Sequence, residues 1–308
     1  MRNAFAHEIT VCAAKDTSIV VLSGDIGNRL FDSYKQECPG RFFNCGVAEA
    51  NMTSMAAGLA MCGLRPITYT ITPFNTIRCL EQIRVDICYH NLPVIIVGTG
   101  SGLSYANLGS THHSCEDIAL LRVLPNMTVI CPADVVELRL ALRAAVKHQG
   151  PVYLRIGKKN EPVIYANEPP FQIGKAIVVK KGTDVCLLST GNMLPISVGA
   201  VDLLKEQGIS AQVVSFHTVK PLDVDFLKNA FGKFPLILTI EEHSLIGGFG
   251  SAIAEWLVDN PSQNGKFGRI GLEDKFIHGS GNQENARKIL GLTSKSIADK
   301  AIQLLSSD

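Results

Sequence analysis

The segment "LPVIIVG", residues 92–98, decides how the rest of the chain is read. Val94–Val97 is apolar at every position and has no polar side to turn to water. A strand of that kind is covered on both faces, as in a parallel sheet sandwiched by helices. The neighbouring segments keep the same rhythm. Upstream, "SIVVLSGD" (18–25) and "RPITYT" (65–70) read as strands, with helices expected over Ala48–Cys62 and Asn75–Tyr89. Downstream, "MTVICPAD" (127–134) and "PVYLRIG" (151–157) are strands around a helix over 134–148, for which Asp134 is a candidate N-cap. Alternating short strands and helices predict a doubly wound, mostly parallel α/β domain over residues 1–160.

The rhythm breaks after it. Residues 161–183, rich in proline, lysine and glycine with one short β-like piece, read as a linker. Strands then return at "DVCLLST" (184–190), "SAQVVS" (210–215), "PLILTI" (235–240) and "FGRIGL" (267–272). Helices are expected over 193–207, over "FGSAIAEWLVD" (249–259) and toward the end. A second, smaller α/β domain over 184–308 is predicted.

Composition narrows the function. Of 308 residues, 46% are hydrophobic and 19% charged, which suits a packed core rather than disorder. The formal net charge of +1 gives no electrostatic ground for nucleic acid or an anionic membrane. Nine cysteines, an odd number with no C-x-x-C pair, predict free thiols in a reducing compartment. The N-terminal stretch is too polar for a signal peptide, and no apolar run is long enough to span a bilayer. A cytoplasmic protein is expected.

One carboxylate stands out. Glu49 sits in "FFNCGVAEANMTSMAAGLAMCG" (42–63), a segment of small and apolar residues. A glutamate in a first helical turn is ordinarily solvated and favoured by the helix dipole. Here the stretch Asn44–Met52 contains no cation, and an unpaired carboxylate in apolar surroundings tends to hold a proton.

The blocks "CGVAEANMTSMAAGLAMCG", "TPFNTIRCLEQI", "NLPVIIVGTGSGL", "STHHSCEDIALLRVLPNMTVICPAD" and "GPVYLRIGKKN" resemble the pyrimidine-binding domain of transketolases and 1-deoxyxylulose-5-phosphate synthases. "TGNMLPISVGAVDLLKEQGISAQVVSFHTVKPLD" and "TIEEHSLIGGFGSAIAEWL" resemble their C-terminal domain. Together they cover nearly the whole chain, in order. The resemblance implies an enzyme that uses thiamine diphosphate. It implies that Glu49 hydrogen-bonds N1′ of the aminopyrimidine and holds a proton there, so that the neighbouring 4′-amino group can act as a base on the thiazolium. Phe74 would stack on the aminopyrimidine, with Ile77 and Gln82 lining that pocket. His112, rather than the adjacent His113, would face the substrate and assist proton transfer. Asp25 would lie near the cofactor and the subunit contact, or be only a strand-end turn residue.

The sequence also departs from the family. Leu108 stands where an aspartate ordinarily reads a sugar hydroxyl, and Lys158 stands nearest to a family arginine. "GTGSGL" (98–103) replaces a stretch that often carries a phosphate-binding histidine. No G-D-G motif for the metal–diphosphate site occurs. The resemblance therefore implies the small subunit of a split transketolase. A large subunit would carry the diphosphate domain and hold Mg²⁺, and the chain would self-associate, most simply into a heterotetramer of two large and two small chains. Such an enzyme would move a two-carbon ketol unit between sugars or sugar phosphates. The alternatives within the family are the β chain of a 2-oxoacid dehydrogenase first component and a deoxyxylulose-phosphate-synthase-like enzyme. Outside enzymes, the alternative is a non-catalytic scaffold.

Overall fold

The structure is a computed structural model that describes residues 1–27, 29–261, 265–279 and 281–307. Its strands are β1 (Ile19–Ser23), β2 (Phe42–Asn44), β3 (Arg65–Ile71), β4 (Ile95–Thr99), β5 (Thr128–Ile130), β6 (Val152–Ile156), β7 (Ile177–Lys180), β8 (Val185–Ser189), β9 (Ala211–Ser215), β10 (Thr218–Lys220), β11 (Leu236–Ser244) and β12 (Lys266–Leu272). They form two mostly parallel sheets flanked by helices. The first has the order β10-β5-β6-β4-β3-β1-β2 and the second β12-β11-β8-β9-β7. Each has one antiparallel edge strand: β10 against β5, and β7 against β9.

The apolar strands work as their composition requires. Ile95 and Val97 of β4 pack on one side with Phe5 and Ile9 of the helix Arg2–Lys15 and Leu138 and Leu142 of the helix Val135–Lys147. Ile96, between them, packs on the other side with Met52 and Ala56 of the helix Glu49–Met61. The same alternation divides Ile19 and Val21 of β1 from Val20 and Leu22. Burying each such aliphatic side chain contributes roughly 1.5–3 kcal/mol. The second of these clusters continues through Leu188, Val214, Phe216 and Ile237, so the two sheets share one apolar junction.

Most predicted elements lie within a few residues of their expected ends, and Asp134 caps its helix by accepting from Val136 N and Glu137 N, both at 2.9 Å. One helix differs. The stretch expected as continuous from Asn75 to Tyr89 starts at Thr72 and breaks into short turns, including a 3₁₀ turn Ile77–Cys79 and a π turn Ile83–Cys88. The break falls at Thr76, whose φ of −127° and ψ of −77° are not helical. Side chains hold the first turn off the helical path: Thr72 Oγ1 donates to Thr99 O and Asn75 Nδ2 to Val97 O. Three strands were not expected as such, the first being β2, Phe42–Asn44, at the start of the stretch that carries Glu49. β10 joins the first sheet although it follows β9 of the second, and β7 falls inside the stretch read as a linker. Among the described residues no helix is long and apolar enough to cross a membrane, and all nine cysteines are free thiols.

The topology lines up the loops that matter. Neighbouring strands β6, β4, β3, β1 and β2 are parallel, so their carboxyl ends lie along one edge. Open α/β sheets bind ligands at that edge. Lys158 follows β6, His112 follows β4, Phe74 follows β3, Asp25 follows β1 and Glu49 follows β2.

Candidate active site

Glu49 opens the helix Glu49–Met61, whose N-cap Ala48 offers no capping side chain. Its side chain is 2% exposed and does have a cationic partner: Arg78 Nη1 lies 2.9 Å from Glu49 Oε2. The expectation of a carboxylate walled in only by apolar groups is thus corrected. The cation arrives from the 3₁₀ turn Ile77–Cys79, twenty-nine residues away in sequence. The guanidinium carbon of Arg78 also lies 4.3 Å from the centre of the Phe74 ring. Phe74 in turn meets the His112 ring edge-on, with centroids 5.2 Å apart. His112 lies 5.9 Å from Tyr105, and Lys158 Nζ sits 4.2 Å over the Tyr105 ring. Glu49, Arg78, Phe74, His112, Tyr105 and Lys158 therefore form one contiguous line of side chains.

Local chemistry fixes each member. Cys79 Sγ donates to Phe74 O at 3.2 Å and Thr76 Oγ1 to Thr72 O at 2.7 Å, bracing the Phe74 turn from within. Gly24, at the end of β1, makes room for Glu49. A Cβ there would stand 3.3 Å from Glu49 Cγ and 3.1 Å from Thr70 Oγ1. His112 Nδ1 shares a hydrogen bond with Thr111 Oγ1 at 2.9 Å. Burial, then the neighbouring His113 and Lys158, pulls the His112 imidazole below its ordinary value, so it stays neutral near neutral pH. His113 is buried, with Nε2 3.2 Å from Ala106 O. Burial, then Lys159 and Arg2, likewise pulls Lys158 down. Arg2 Nε donates to Lys158 O at 3.0 Å, bringing two cations to this end of the line.

The remaining candidates lie to the side. Asp25 is exposed, has a φ of 55°, and accepts from Asn44 Nδ2 at 2.9 Å. Ile77 is 46% and Leu108 47% exposed, and Gln82 is half-buried; none of the three is in the contiguous line. Sequence reasoning missed Arg78, Tyr105 and Arg2. Arg78 carried a signal, since it follows Phe74 by four residues, the spacing that places two side chains on one helical face.

Residues 1–163 match the family model for the transketolase pyrimidine binding domain, and residues 174–297 that for the transketolase C-terminal domain. The chain belongs to the transketolase family. It is 37% identical to a chain described as a transketolase C-terminal section from Methanocaldococcus jannaschii, over 100% of its own length and 97% of that chain. It is 36% identical to the 6-deoxy-6-sulfo-D-fructose transketolase subunit SqwH of Clostridium sp. (strain MSTE9), over 98% and 93% of the two. Among solved structures, a split gene transketolase, an inactive β4 tetramer, superposes with a TM-score of 0.88 at 33% identity, over 99% of this chain and 97% of that one.

This transketolase-family site fits the aminopyrimidine half of thiamine diphosphate. It offers a buried carboxylate, an aromatic face, and Thr70 Oγ1, which is buried beside Glu49 and finds no hydrogen-bond partner among the described residues. For the diphosphate half, no group of three or more His, Cys, Asp or Glu side chains able to hold a metal occurs among the described residues.

Proposed function

We propose that this chain is the small subunit of a split transketolase. It supplies the pyrimidine side of a thiamine diphosphate site and acts with a large subunit that binds the diphosphate through Mg²⁺. The reaction moves a two-carbon ketol unit from a ketose phosphate, or a related anionic ketose, to an aldose in the cytoplasm. The supporting observation is the line of side chains from Glu49 to Lys158 along the carboxyl ends of β2, β3, β4 and β6. Relatives of the same extent, named as a section or subunit of transketolases, support the partner, and a heterotetramer of two large and two small chains is the simplest closed assembly for it.

Thiamine diphosphate, when bound, supplies the carbon nucleophile and the electron sink. The chain's own residues do the rest. Glu49 holds a proton at N1′, using the carboxylate that Arg78 otherwise engages. Phe74 orients the pyrimidine ring by its face. His112, kept neutral, takes a proton from a substrate hydroxyl. Arg2 and Lys158 attract the anionic end of the sugar. Leu108 offers no hydrogen bond to a sugar hydroxyl, so stereochemical preference at that carbon is relaxed.

The test is reconstitution with the large subunit and Mg²⁺, followed by Glu49→Gln. The variant keeps the shape of the side chain but cannot take up and return a proton. Turnover should fall by about 10²–10⁴-fold while the complex still assembles. Turnover near wild type would reduce Glu49 to a helix-start residue and overturn the reading.

A further inference from the structure

The loop that carries His112 is held from the second sheet. It leaves β4 after Thr99 and closes on itself where Ser114 N donates to Gly102 O at 2.9 Å. Its first residues are held by β6, where Gly100 N and Ser101 N donate to Ile156 O at 2.9 and 3.0 Å, and β11 of the second sheet adds two further anchors. Glu242 Oε1 accepts the Leu103 N–H at 2.7 Å, and Ser244 N donates to Cys115 O at 2.8 Å. Arg155, at the end of β6, ties both sides together by donating to Ser114 O at 2.9 Å and to Glu242 O at 3.1 Å.

The Glu242 side chain is completely buried. Its other partners lie in the second half of the chain: Asn192 Nδ2 at 3.1 Å and Gln283 Nε2 at 2.9 Å on Oε1, and Arg287 Nε on Oε2. Gln283 Nε2 also reaches Ser104 Oγ at 3.4 Å. Gly102, in "GTGSG" (98–102), has a φ of 57°, and a Cβ there would stand 2.3 Å from Glu242 Oε1. That glycine is needed so that the carboxylate can reach the loop. A buried ion pair is a costly way to glue two domains, since apolar packing does as well or better. What the carboxylate adds is direction: one oxygen collects the loop backbone and two amides at a fixed point.

We propose that Glu242 is a positioning residue for His112. By gripping Leu103, just past the residues that β6 holds, it fixes the path of the loop and so sets the imidazole against Phe74. This assigns the second sheet a part in the reaction, and it rests on the transketolase reading of His112.

The test compares Glu242→Ala, Glu242→Gln and Gly102→Ala. Glutamine still presents an oxygen to Leu103 N, whereas alanine at 242 does not. Alanine at 102 crowds the Glu242 carboxylate and its backbone carbonyl, disturbing the contact without changing residue 242. Amide hydrogen exchange over residues 100–116 of the chain should rise in Glu242→Ala and Gly102→Ala and stay near wild type in Glu242→Gln. In the reconstituted enzyme kcat should fall about 10–100-fold in the two alanine variants, with cofactor affinity unchanged and with glutamine restoring most of the loss. Unchanged loop exchange in both alanine variants would overturn the proposal. So would a loss of kcat matched by an equal loss of cofactor binding. If Glu242→Ala does not fold, Gly102→Ala and Glu242→Gln carry the comparison. The exchange measurement needs no turnover, so failure of the grip and failure of the transketolase reading are seen separately.

Discussion

Arg78 and Glu49 are joined across two separate elements, with Nη1 2.9 Å from Oε2 and side-chain exposures of 47% and 2%. The carboxylate is enclosed and the guanidinium is half in water. The pair therefore neutralises a buried charge with a group that solvent can still reach. Arg78 also lies over the ring of Phe74, so it engages both features that the aminopyrimidine needs.

Removing the arginine should therefore cost more than losing a surface ion pair. Arg78→Ala leaves Glu49 enclosed without its cation, and the chain should lose ~1–3 kcal/mol of stability. Glu49→Gln should reduce that cost when the two are combined. Urea unfolding of the four chains gives the coupling. A coupling energy near zero would mean that the pair is worth no more than an exposed one.

The pH dependence of turnover should report His112. Its imidazole is held below the usual value of 6.5 first by burial, then by His113 and Lys158. The neutral form accepts the proton, so activity should rise with pH along an acid limb whose midpoint lies below 6.5. Lys158→Ala removes one opposing charge, and the limb should move to higher pH. It should stop short of the full return, because burial remains. A profile of kcat against pH in the reconstituted enzyme measures this, and an unmoved limb would separate Lys158 from His112 electrostatically.

Stability should vary with pH less than its buried groups would suggest individually. Burial pulls His217 and His243 down to about 4 and pushes Glu137 and Glu241 up to about 7. The histidines favour folding fully above pH 6.5, and that contribution is lost as pH falls toward 4. The glutamates favour folding fully below pH 4.5, and theirs is lost as pH rises toward 7. The two trends oppose each other between pH 4.5 and 6.5. Glu137→Gln removes one of them while keeping a neutral side chain. Its stability relative to wild type should grow by up to ~2–3 kcal/mol between pH 4.5 and 7. A constant difference across that range, in denaturant unfolding, would show that Glu137 is not held protonated.

The central strands were legible because their apolar positions serve two faces at once. Ile95, Ile96 and Val97 admit no other use in a folded chain. Glu49 was legible by contrast with its neighbours, and His112 through the block around it. β10 was not, because "TVK" (218–220) has no apolar run and its partner β5 lies nearly ninety residues back. The Arg78–Glu49 pair was hidden too, since its residues follow β2 and β3, which flank β1 in the sheet rather than pairing with each other. The break at Thr76 depends on the carbonyls of Thr68 in β3 and of Val97 and Thr99 in β4, which no local pattern records.

β10 has a consequence for how this chain can be divided. It lies past the stretch between the two matched domains, yet it hydrogen-bonds to β5 in the first sheet. Lys220 Nζ fastens it further by donating to Arg122 O at 2.9 Å and Leu124 O at 2.5 Å. A cut after residue 163 would strip β5 of its outer neighbour β10 and leave a raw strand edge, which invites pairing with other chains. The two halves are stitched into one block, even though the sequence matches them as two.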